Sequence, residues 1–130
     1  VLFRSRKVLR KKIKIEEMVQ QSANLGSFVS SLYSEDFNLM SRSIVDIIAE
    51  PDRRILIPEF DNIIKLSKNN GAIAAGISGS GPSIFSLSND SIVSEKILKA
   101  TTNHYDKLGI SYDGFISKIN TTGIKILESN

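Results

Sequence analysis

The stretch GAIAAGISGSGPSIFSLS, Gly71 to Ser88, holds four of the chain's eight glycines within eleven residues. A loop that only has to turn needs one or two glycines, so this much bare backbone predicts a place where another group must lie against the main chain. The same stretch divides the chain by period. Before it, apolar residues recur at helical spacing. Leu25, Phe28, Val29 and Leu32 predict a helix over 15–34, with Gly26 inside it pointing to close packing. Phe37, Met40, Ile44, Ile47 and Ile48 predict a second helix that Pro51 ends. Phe60, Ile63 and Ile64 predict a third, between Pro58 and the stop signal Asn70-Gly71. Around the loop, the short runs Ala72 to Ile77 and Ser83 to Leu87 predict two strands that it joins. After it, Asn89, Asp90 and Ser91 offer N-caps for a helix over 92–107 closed by Gly109. Ile110, Tyr112, Gly114 and Ile116, and then Ile124 and Ile126, alternate as half-buried strands do.

Helices first, then strands with one helix between them, predict an α+β fold with helices packed on one face of a mostly antiparallel four-stranded sheet. At 130 residues there is room for one domain, 1–130, with a core that needs no metal or disulfide staple. The absence of cysteine excludes disulfides, thiolate nucleophiles and thiolate metal sites, and permits an intracellular address. No apolar run approaches the ~20 residues that span a bilayer, so no membrane association is expected.

The net charge of +3 is unevenly spread. Arg4, Arg6, Lys7, Arg10, Lys11, Lys12 and Lys14 crowd the start, while 18–130 holds ten basic and twelve acidic residues. A basic face without stacking aromatics through the fold argues against nucleic acid as a partner. Nor does an apolar stretch follow the basic run as a signal peptide requires. The chain opens on Val1 instead of Met, which is expected of a piece of a longer protein. His104, the only histidine, has no partner legible in the sequence and is expected to be an exposed or core residue of its helix.

The glycine loop lacks the Lys-Ser/Thr pair of a Walker A motif, and Gly76, Gly79 and Gly81 do not make G-x-G-x-x-G. What remains is a loop in which Gly79 and Gly81 alternate with Ser78, Ser80 and Ser83. Its N–H groups and hydroxyls suit either cupping an anion or bracing a neighbouring phosphate loop. The plain alternative is a hairpin whose serines satisfy their own backbone.

ISGSGPS, Ile77 to Ser83, resembles the third signature motif of the GHMP kinases. DIIAEPDRRILIPEF, Asp46 to Phe60, is similar to a segment of the branch of that family that phosphorylates L-homoserine, matched here at Asp46, Pro51, Arg53, Leu56, Ile57 and Pro58. SRKVL, Ser5 to Leu9, is similar to the run that opens the C-terminal half of the same enzymes, although Leu9-Arg10 stands where they usually have Leu-Pro. The resemblance implies a ferredoxin-like C-terminal domain and phosphoryl transfer from ATP to the hydroxyl of L-homoserine, in threonine biosynthesis and in the cytoplasm. It places ATP and Mg²⁺ mainly on an N-terminal domain absent from this chain, so the chain alone is expected to be inactive. It implies that Arg6 and Arg53 hold the substrate carboxylate, as a planar guanidinium fork can, with Arg54 the candidate one register on. It implies that Gly76, Ser78, Gly79, Ser80, Gly81 and Ser83 support the phosphate loop. Pairing into homodimers is common in the family. Asp46 receives no catalytic role and is expected to be a cap or half of an ion pair.

Overall fold

The computed structural model describes residues 6–124. Helix α1, Ile15–Ser34, starts where the Glu17 carboxylate reaches back to the Lys14 N–H at 2.9 Å, and it ends on Glu35 in the left-handed region. Asp36 then caps α2, Phe37–Ser43, by accepting the Leu39 N–H at 2.9 Å, and the two helices pack as a hairpin.

The second helix stops at Ser43, well short of Pro51. Asp46 intercepts the chain, because its carboxylate accepts the N–H groups of Ile48 and Ala49, both at 2.8 Å, and of Glu50 at 3.2 Å. Those bonds start a new single-turn helix, α3, Glu50–Arg53, with Pro51 in its first turn, where a missing N–H costs nothing. Pro51 therefore begins a helix instead of ending one. A 3₁₀ turn, Arg54–Leu56, leads to α4, Phe60–Asn69, and Gly71 turns out of it at φ +100°.

Strands β1, Ala74–Ile77, and β2, Ile84–Leu87, pair antiparallel with Ala74 opposite Leu87 and Ile77 opposite Ile84. Asp90 caps α5, Ser91–Leu108, which closes on Gly109 at φ +65°. Helices α4 and α5 pack on each other and on the hairpin. Ile57, Phe60, Ile63, Ala74, Ala75 and Ile97 are buried there, and the buried Ser67 hydroxyl donates to the Ile63 carbonyl and accepts from Ser86.

Three expectations differ from this arrangement. The described residues carry two strands, and 110–124 pairs with neither. That segment turns back along α5 instead: Tyr112 stacks on Tyr105, and Gly114 lies so close to Leu98 that a Cβ would sit 2.7 Å from it. Ile126 lies outside the described residues. The apolar stripe of α1 is uncovered among the described residues: Leu25 is 63% exposed, and Val29 and Leu32 lie in the same open face. Gly26 belongs to that face and has no described atom within 4 Å of where its Cβ would be, so no close packing explains it here.

Candidate functional site

The loop between β1 and β2 is held by its own backbone. Ser78 N–H donates to the Ser83 carbonyl at 2.8 Å, and Gly81 N–H donates to the Ser78 carbonyl at 3.2 Å. Gly79 and Gly81 take φ of +62° and +73°, a region that glycine enters without a Cβ penalty. The two glycines differ in surroundings. A Cβ on Gly81 would lie 3.2 Å from Ile57 Cδ1, whereas Gly79 is exposed with nothing described within 4 Å of its Cβ position. Two of the loop's N–H groups are thus turned inward onto its own carbonyls.

Beneath the loop, Gly76 makes room for Glu50. A Cβ there would come within 2.9 Å of Glu50 Oε2 and 3.2 Å of Phe85, and the same Oε2 accepts the Ile77 N–H at 3.2 Å. Burial pushes the Glu50 carboxyl above the usual carboxylate range; the Ile77 N–H opposes this, while the Asp46 charge adds to it. Ser80 donates weakly to the Gly81 carbonyl, and Ser83 is exposed at the loop's far side.

Of the two predicted arginines, the structure brings one to the loop. Arg53 Nη1 donates to the Gly79 carbonyl at 3.0 Å, from the helix α3 that Asp46 caps. Asp46 is thus a cap, one of the two roles expected of it. Arg6 is exposed and makes no hydrogen bond or ion pair with the described residues. Arg54 points elsewhere and pairs with Asp61 at 3.2 Å. His104 does have a partner: its Nε2 meets Glu59 Oε2 at 2.9 Å, across forty-five residues of sequence.

Sequence reasoning missed Glu50, Asp52 and Arg10. Arg10 Nε and backbone N–H both meet Asp52 Oδ2, at 3.3 and 2.9 Å. Nothing local signals such a pair, since its members stand forty-two residues apart. Separately, a mostly apolar cleft of about 370 Å³ opens between α1 and β2, lined by Leu25, Phe28, Val45, Phe85 and Leu87 among others, and none of the loop residues contributes to it.

The family model described as GHMP kinases C terminal matches residues 28–107, more than half of the chain. The chain belongs to the GHMP kinases. Helices α2 to α4, the hairpin and nearly all of α5 fall inside the match, so the glycine loop and Arg53 are part of this GHMP kinase domain. Two curated relatives are homoserine kinases, from Chlorobaculum tepidum, 32% identical over 127 residues, and from Buchnera aphidicola subsp. Schizaphis graminum, 40% identical over 101. Those matches cover 96% and 78% of this chain, but only 39% and 33% of the relatives. A crystal structure of homoserine kinase from Cytophaga hutchinsonii superposes with a TM-score of 0.91 at 38% identity, over 95% of this chain and 39% of that one. The chain thus spans about two fifths of the length of such relatives. No described helix is long and apolar enough to cross a membrane.

Proposed function

We propose that the chain is the C-terminal domain, 1–130, of a cytoplasmic homoserine kinase, which transfers the γ-phosphoryl group of ATP to the hydroxyl of L-homoserine in threonine biosynthesis. The observation that carries this reading is the superposition, over 95% of the chain and at 38% identity, on a homoserine kinase. Phosphoryl transfer depends mostly on positioning and charge stabilisation, and this chain has parts suited to positioning. Arg53 and Arg6 hold the substrate carboxylate so that its hydroxyl lies in line with the phosphoryl group. The loop formed by Gly76, Ser78, Gly79, Ser80, Gly81 and Ser83 backs the phosphate-binding loop of an N-terminal domain. The Arg53 to Gly79 hydrogen bond supports the pairing of these roles, because it joins the substrate arm to the brace.

Among the described residues no cluster of three or more His, Asp or Glu is placed to hold a metal ion. In this reading the Mg²⁺ that spans the nucleotide phosphates in such kinases, like most of the ATP site, belongs to the N-terminal domain. The same domain is the partner that covers the open face of α1. In the whole enzyme the sheet is four-stranded, and two copies pair as a homodimer.

The test is ADP release by the full-length protein with Mg·ATP, offered L-homoserine, mevalonate, phosphomevalonate, galactose or no acceptor. Strong preference for L-homoserine is the expected result. Preference for another acceptor would move the assignment elsewhere in the family, and a folded protein that turns over none of them would refute a kinase role.

A further inference from the structure

Two segments carry the arginines assigned above to the substrate carboxylate: 6–14, with Arg6, and the turn 46–53, with Arg53. Arg10 joins them. Its backbone N–H and its Nε converge on Asp52 Oδ2, next in the chain to Arg53. Its Nη2 donates to the carbonyls of Ile47 and Ile48, at 3.3 and 3.2 Å, on the stretch that Asp46 folds into a cap. Its Nη1 donates to Glu17 Oε1 at 2.8 Å, in the first turn of α1. One residue thus fastens its own segment, the start of α1 and the turn before Arg53.

A single exposed ion pair would be worth little. Arg10 differs in being held at both ends, main chain and guanidinium, by partners on two elements, and its fork geometry is one that lysine cannot copy. Asp52 and Glu17 are the charged groups that face it, with side chains 20% and 29% exposed. The Arg10 backbone N–H holds the Asp52 carboxyl below its usual range, and the guanidinium charge adds to the effect. A proline at position 10 would supply neither N–H nor guanidinium.

We propose that Arg10 is a positioning residue, which sets the Arg6 segment against the Arg53 turn so that both guanidiniums meet one α-amino-acid carboxylate. The inference rests on the proposed roles of Arg6 and Arg53.

The experiment uses the full-length protein and compares Arg10→Gln, Asp52→Asn and their double variant with Arg6→Ala and Arg53→Ala. His104→Gln, which alters the His104–Glu59 contact outside these segments, serves as control. KM for L-homoserine is measured at saturating ATP, and KM for ATP at saturating L-homoserine. Arg10→Gln is expected to raise the homoserine KM about tenfold, with kcat and the ATP KM within about twofold, a loss of binding shared equally by the ground and transition states. The double variant should be no worse than Arg10→Gln, and His104→Gln should leave the homoserine KM unchanged. Should Arg10→Gln fail to fold, Asp52→Asn keeps shape and backbone acceptor and reads the same split. An unchanged homoserine KM in Arg10→Gln, while Arg6→Ala and Arg53→Ala raise it, overturns the positioning role alone. An unchanged KM in all of these variants overturns the arginine assignment and this inference with it. Equal rises in both KM values signal general loss of packing and also overturn it.

Discussion

Arg53 and Glu50 stand three residues apart in α3 and reach the same hairpin at two points, Arg53 at the Gly79 carbonyl in the loop and Glu50 at the Ile77 N–H at the end of β1. Replacing Arg53 with Ala in the whole enzyme should lower kcat/KM for L-homoserine by at least tenfold, since one hydrogen bond to a charged group is worth about 1.5–3 kcal/mol. Steady-state kinetics check this, and an effect within twofold would remove Arg53 from the substrate site. Glu50 gives a pH signature. Its folded-state pKa is raised by burial, so the folded state holds the proton more tightly, and stability falls as pH rises from the ordinary value of 4.5 through the folded one. Glu50→Gln keeps an acceptor for the Ile77 N–H and should melt higher than the parent at pH 7, with the gap closing below about pH 4.5. Thermal melts across pH would show it. Arg53 was legible because its segment resembles a known one. Glu50 was not, because what defines it is the absence of a Cβ on Gly76, twenty-six positions away.

The caps were mostly legible, since Asp90, Gly109 and the Asn70-Gly71 stop act within a turn of their own position. The second helix misled for an instructive reason. Ile44, Ile47 and Ile48 keep helical spacing across a break, and only the three hydrogen bonds to Asp46 show that the chain restarts there. Two caps can therefore be set against each other. Asp46→Ala and Asp90→Ala should each cost about 1–2 kcal/mol, the usual range for a lost N-cap. Only Asp46→Ala should also raise the homoserine KM, because its helix carries Arg53 and the helix capped by Asp90 carries no site residue. Denaturant melts paired with kinetics would separate the effects; equal KM values would mean that the cap does not hold the arginine.

At the scale of the molecule, the apolar stripe of α1 read as a core face, and its periodicity is indeed helical. Burial is not a property of one helix, however, and Leu25 and Leu32 remain 63% and 51% exposed. In the proposed reading another part of the enzyme covers that face, so residues 1–130 expressed alone should release no ADP from Mg·ATP with L-homoserine, while the full-length protein does. Activity in the isolated chain would contradict the division of labour. The two helices α1 and α2 pack as neighbours in sequence, and so do the two strands, whereas the bonds that build the site, Arg10 to Asp52, Arg53 to Gly79 and Glu50 to Ile77, bridge distant positions. Local pairs close first because short loops lose less entropy. The site is then assembled late, after the folding barrier. Substitutions at Arg10 or Glu50 should leave the refolding arm of a chevron in place and shift the unfolding arm: the residues that fasten the proposed site from behind govern how long the native state lasts, and not how fast it forms.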